Sequence, residues 1–220
     1  MIKKLHLLLL CLCLVASSCT LVIKGLGRAV IRDYDKYKNL DLTNVHIIDT
    51  TGRQRIFAEV FAGKAVYLYV WKEQNKLAPN DKDKKYKALK QRFEKYPDVV
   101  FAELSLCTDC KNNSYSNRLV MDESSAELRS VLDLTDPAPF IIGKNGQMLA
   151  FKGPKPSDDL LVDYVLYQSR NGIDGTKSGK KLIRGVNSHS RFKTRHLREW
   201  YTKHFNQDPT SFDFNFSLTK

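Results

Sequence analysis

Residues 65–71, AVYLYVW, form an unbroken apolar and aromatic run set off by Gly63 and Lys64 on one side and Lys72 on the other. A strand with one wet face alternates apolar and polar side chains, so a strand without that alternation is one covered on both faces. The run therefore predicts a central strand of a layered α/β structure, with other elements packed above and below it.

The neighbouring segments supply those elements in order. Upstream, VHIIDTTGRQRIF reads as two strands around a turn at Thr51 and Gly52. Downstream, DKDKKYKALKQRFEKY places Tyr86, Leu89, Phe93 and Tyr96 at steps of three and four, an amphipathic helix capped at Asn80 or Asp81 and stopped by Pro97. DVVFAELSL is a second apolar strand, and ESSAELRSVLDL a helix that buries Leu128, Val131 and Leu132, with Asp122 and Ser124 as candidate caps. PFIIG and QMLAF flank Asn145 and Gly146, a pair suited to a tight hairpin. PSDDLLVDYVLYQSR closes the series as a helix with Leu160, Leu161, Val165 and Leu166 inward. The order is β, β, β, α, β, α, β, β, α, without repeats or low-complexity segments.

This series, with GKAVYLYVW before a helix and PAPFIIGKNGQML near the end, resembles the thioredoxin fold, and in particular the TlpA and ResA type of envelope thioredoxin-like proteins, over about residues 44–170. The resemblance implies a thioredoxin-like mixed sheet flanked by helices, and no cofactor. It also implies where a site lies. In that family the strand ending in Trp, here Trp71, runs into a C-x-x-C at the start of a helix, where the helix N-terminus favours a thiolate. Asn75 and Ala78 stand at those two positions, and neither can form one. The family's substrate-pairing proline loop falls at DPAP: the TlpA spacing lands on Pro137, the plain thioredoxin spacing one residue later on Ala138, and Pro139 is the proline next in line. Trp71, Asn75, Ala78, Pro137 and Pro139 are thus the candidate binding residues.

A different C-x-x-C, Cys107 and Cys110, follows the second apolar strand. In a thioredoxin sheet that strand is the parallel neighbour of residues 65–71, so the pair emerges beside the emptied loop. The residues leave three readings open: a structural disulfide, a redox couple, or half of a metal site. Asp109 between the thiols raises their pKa by like charge, and no second C-x-x-C or matching histidine pair completes a metal set, so no metal is expected.

The N-terminus, MIKKLHLLLLCLCLVASSCT, has two lysines, a short apolar core and small residues ahead of Cys19, the build of an export signal. The core falls short of the roughly 20 residues needed to cross a bilayer. The run ASSC resembles a bacterial lipoprotein cleavage box, which implies lipid on Cys19 and loss of Cys11 and Cys13 with the signal. Cys107 and Cys110 are then the thiols that remain in an oxidising compartment. The expected place is the bacterial cell envelope, on a periplasm-facing membrane, with the outer membrane favoured.

The formal charge is +12, and residues 171–220 hold half of it, with ten Lys or Arg against four acids. Within them NGIDGTKSGKKLIRGVNSHSR reads as a mobile linker, and RFKTRHLREWYTKHF as an amphipathic helix with Leu197, Trp200, Tyr201 and Phe205 on one face. SFDFNFSL reads as a last strand. Export argues against nucleic acid as the partner of this charge. The expected organisation is a signal peptide at 1–18, an anchor and linker at 19–43, the thioredoxin-like domain at 44–170 and a basic extension at 171–220. The expected activity is that of a binding module for an envelope protein or peptide. The alternatives are a thiol-disulfide oxidoreductase using Cys107 and Cys110, and an assembly protein organised by the extension. If Cys19 carries the anchor, Cys19→Ala abolishes metabolic labelling with a fatty acid and leaves an unprocessed precursor. A variant of normal mature mass that still fractionates with membranes excludes the lipoprotein reading.

Overall fold

The structure is a computed structural model that describes residues 25, 27–49, 51–71, 80–106, 119–121, 126–133, 138–187 and 191–209. The strands are β1 (His46–Ile48), β2 (Gln54–Ile56), β3 (Ala65–Trp71), β4 (Val99–Ser105), β5 (Leu119–Met121), β6 (Ala138–Ile142) and β7 (Met148–Ala150). The helices are α1 (27–31), α2 (Phe57–Val60), α3 (Asn80–Phe93), α4 (Ala126–Asp133), α5 (Asp159–Ser169), α6 (Gly175–Gly185) and α7 (Arg195–Phe205). The strands make one sheet in the order β2-β1-β5-β4-β3-β6-β7. β3 pairs in parallel with β4 and antiparallel with β6, and β6 pairs antiparallel with β7. This mixed sheet flanked by helices is thioredoxin-like.

β3 is central, as its composition requires. Val66, Leu68 and Val70 enter one core with Phe57, Leu104, Leu128, Leu132, Phe140 and Ile142. Tyr67 and Tyr69 enter the other, with Leu89, Phe93, Ile141 and the α5 side chains. Tyr67 is fully buried, and its hydroxyl is satisfied by donating to the Pro154 carbonyl at 2.9 Å.

Within residues 44–170 the expected elements form close to their predicted bounds, with two additions. Residues 57–60, between the first hairpin and β3, are a short helix, and β5 is a three-residue strand that the sequence did not announce. The Asn145–Gly146 turn forms with Gly146 at φ 80°. A Cβ there would meet Thr43 and the Asp41 carboxylate, so glycine is required by both backbone and neighbours.

Two segments read as connectors are instead packed. Residues 32–44 run along the edge beyond β7: Leu42 N–H donates to Gly146 O and Met148 N–H to Leu40 O, both at 2.9 Å, while Ile31, Tyr34 and Leu42 are buried. This covers an otherwise open sheet edge. The Gly, Ser and Lys-rich segment expected to be a mobile linker contains α6, with the Asp174 carboxylate accepting from Lys177 N–H as its N-cap. Composition misleads here because Gly175 and Gly179 sit one turn apart and make a flat face. A Cβ on Gly175 would lie 2.8 Å from that of Ala150, and one on Gly179 2.6 Å from Ile31 Cγ2. The glycines let α6 lie against α1 and β7, with Leu182 and Ile183 buried below.

α7 docks through Leu197, Trp200, Tyr201 and His204. Its anchor is polar. Asp163 on α5 is 1% exposed and takes two bonds from Arg92 of α3, Nε to Oδ1 and Nη2 to Oδ2, each at 2.8 Å. His204 Nε2 lies 2.7 Å from Asp163 Oδ1, and since a carboxylate only accepts, the ring nitrogen donates. His204 Nδ1 shares a 3.1 Å hydrogen bond with the Tyr96 hydroxyl, and Lys95 Nζ donates to the His204 carbonyl.

Gly179→Ala tests the packing account of α6. Alanine favours a helix interior by about 1 kcal/mol over glycine, but overpacking Ile31 costs about 1–3 kcal/mol. The variant therefore melts lower than wild type, and a higher melting temperature refutes the close approach. A second measurement concerns Asp98, which accepts from Arg170 at 2.7 Å and Lys144 at 2.8 Å. Burial raises its pKa, yet these two cations more than offset that and hold it below the usual value. Its stabilising contribution is thus complete above the unfolded value of about 4 and is lost as pH falls through the lower folded value. Melts taken downward from neutral pH show Asp98→Asn losing less stability below pH about 4 than wild type.

Candidate functional site

The pairing registers define one edge of the sheet. Trp71, the last residue of β3, is in register with Ser105, the last of β4, and Val70 with Ala138, the first of β6. The segments after β3 and β4 and the segment before β6 therefore all meet the sheet at the same end. Residues 72–79, 107–118 and 134–137 are those segments, and they hold Asn75, Ala78, Cys107, Cys110 and Pro137. These five residues lie outside the described residues, as do Cys19 and the strand expected from SFDFNFSL. The structure places their attachment points: Asn75 follows Trp71 by four residues, Cys107 follows Ser105 by two, and Pro137 directly precedes Ala138.

Two candidates fall on described residues. Trp71 closes β3 and pairs with Ser105. Pro139 is the second residue of β6, opposite Tyr69. No peptide bond among the described residues is cis, so the Ala138–Pro139 bond is trans.

The ground below this edge on the α3 face is aromatic, with the Glu103 carboxylate beside it. Tyr69 pairs across the sheet with Glu103, and Tyr86 stands 6.2 Å from Tyr69 and 5.8 Å from Phe101, ring centre to ring centre. Burial first, and then the Glu103 carboxylate, raise the pKa of both Tyr69 and Tyr86. Both phenols are therefore held neutral more firmly than an exposed tyrosine, and so can donate a hydrogen bond.

One residue at the edge escaped sequence reasoning. Arg129 of α4, half-buried, donates from Nη2 to the Leu106 carbonyl at 2.7 Å. It ties α4 to the exit of β4 and puts a guanidinium at the residue before Cys107. Nothing local marks it, because an arginine on the rim of an amphipathic helix is the ordinary case. Among the described residues no group of three or more His, Cys, Asp or Glu side chains could hold a metal ion, and no helix is long and apolar enough to cross a membrane.

No family model matches the sequence, and no curated protein matches it. Solved structures with some likeness include a thiol-disulfide oxidoreductase of Bacteroides fragilis, 18% identical, covering 50% of this chain and 88% of that one, with a TM-score of 0.39. The thioredoxin domain of a thiol-disulfide oxidoreductase of Bacteroides vulgatus is 16% identical over 50% of this chain and 87% of that one, TM-score 0.34. The exposed lipoprotein thioredoxin of Streptococcus pneumoniae is 18% identical over 47% and 83%, TM-score 0.34.

Proposed function

We propose that the chain is an exported, lipid-anchored thioredoxin-like protein of the bacterial cell envelope, favouring the outer membrane, that binds an extended segment of an envelope protein or peptide at the edge where β3, β4 and β6 meet. The observation that carries the reading is the register of Trp71 with Ser105 and of Val70 with Ala138. It gathers three connecting segments at the end of the sheet where open α/β sheets hold their ligands, while Asn75 and Ala78 occupy the positions at which the resemblance calls for thiols. A groove of this kind keeps its backbone and aromatic surroundings without the attacking thiolate, and so works by binding.

A second reading is favoured by Arg129. A cation beside a cysteine lowers its pKa and raises the thiolate fraction, and the Arg129 guanidinium sits on the Leu106 carbonyl, one residue from Cys107. In this reading Cys107 and Cys110 form a displaced thiol-disulfide couple at the same edge.

Insulin reduction separates the two. With dithiothreitol as electron donor, the binding module leaves the onset of turbidity where dithiothreitol alone puts it, and Cys107→Ser changes nothing. Turnover that disappears in Cys107→Ser and weakens in Arg129→Leu establishes the displaced couple instead. The reduction potential agrees with whichever holds: below about −300 mV for a structural bridge, and about −120 to −270 mV for a working couple.

A further inference from the structure

α6 carries two unlike faces. Gly175, Thr176, Ser178, Gly179, Leu182 and Ile183 are buried against the domain, while Lys177, Lys180, Lys181 and Arg184 are exposed. The Gly179 face sits on Ile31, and Thr176 Oγ1 donates to the Ile31 carbonyl at 3.3 Å. That contact brings α1 beside the cationic face, so that Arg28 joins Lys180 and Arg184 around a cavity of ≈ 150 Å³ floored by Ile183. Lys177 pairs with Asp174 at 3.1 Å, but among the described residues no ion pair engages Arg28, Lys180, Lys181 or Arg184. The positive potential reaches α7, where burial first and then Lys181 lower the pKa of His196.

Arg28 lies nine residues after Cys19, and an extended chain spans at most about 3.5 Å per residue. A lipid on Cys19 thus holds Arg28 within about 30 Å of the bilayer, a tether short enough to let the basic cluster settle into the surface potential of an anionic leaflet, which falls off within a Debye length of about 8–10 Å.

We propose that the exposed face of α6, together with Arg28 of α1, is the surface with which the anchored protein lies on an anionic lipid bilayer, the cavity between Arg28, Lys180 and Arg184 receiving a headgroup phosphate. The proposal rests on the anchored reading for its geometry, but not for its charge. Because the apolar side of α6 is spent inside the domain, the helix cannot insert; the contact is electrostatic, and so depends on salt and on lipid charge. It fixes the orientation of the domain on the membrane rather than its attachment, and leaves the sheet edge available to a partner.

The test uses the full chain with vesicles of phosphatidylcholine alone or mixed with phosphatidylglycerol. Acetylation of Lys180 and Lys181 is followed by mass spectrometry, and vesicle association by sedimentation. On anionic vesicles both lysines are protected relative to neutral ones. Protection of both lysines disappears at 1 M salt, where the Debye length is about 3 Å, and protection of Lys181 disappears in the triple variant Arg28→Gln, Lys180→Gln, Arg184→Gln. Each basic residue near an anionic surface is worth about fivefold in partitioning, so the triple variant loses on the order of a hundredfold of the charge-dependent binding. Equal labelling of wild type on both kinds of vesicle overturns the proposal. A failed anchor gives a different signature: the chain then leaves neutral vesicles altogether, yet still sediments with anionic ones in a salt-sensitive way, and the surface stands.

Discussion

One buried carboxylate makes three helices depend on one another. Asp163 is almost wholly removed from water, and an ionised group in that position is tolerable only if it is paired and hydrogen-bonded. Arg92 supplies the pair from α3 and His204 supplies the third bond from α7. His204 in turn runs nearly parallel to the rings of Tyr96 and Trp200, at 12° to each with ring centres 5.6 and 5.7 Å away. Such a cluster is weak evidence for net stability, since apolar replacements often do as well. Its effect is positional: α7 can dock in one register, the one that brings His204 to Asp163.

With α7 and α6 in place, α5 is covered all round. The sheet lies on one side, and the two later helices supply Leu182, Ile183, Leu197 and Trp200 on the other. This explains why Leu160–Leu166 is buried at every position, Asp163 included, where a helix on the surface of a two-layer fold would show a wet stripe. The C-terminal part of the chain is therefore a third layer over the sheet, and the residues usually spent on solvating α5 are carried by α6 and α7 instead. Their charges are the outer skin of that layer.

Much of this was legible in the sequence, and the failures have identifiable causes. β3, β4, α3, α5 and the β6–β7 hairpin follow from apolar periodicity and an Asn-Gly turn, signals that a local window contains. α6 does not, because Gly175 and Gly179 look like flexibility until Ile31, Tyr34 and Ala150 are known to fill the space they leave. β5 has three residues, too few for alternation to be seen. Asp163 and His204 stand 41 residues apart, and no local pattern pairs them; α5 read as a helix with four inward apolar residues because its second partner was unknown. At the sheet edge, the convergence of the segments carrying Asn75, Cys107 and Pro137 was inferable from the fold, whereas the reach of Arg129 to the Leu106 carbonyl is a tertiary fact.

The layering also bears on where encounters can occur. On one face of the sheet α3, α5, α6 and α7 close over Tyr67, Tyr69 and Ile141, and on the other α2 and α4 close over Val66, Leu68 and Phe140. The β7 edge is shielded by residues 32–44. A ligand that needs backbone pairing or a pocket is thus directed to the end of the sheet where β3 and β4 finish together. A surface that needs only charge is directed to α6, whose apolar side is already spent. These two demands fall on different parts of the molecule, so meeting one leaves the other open.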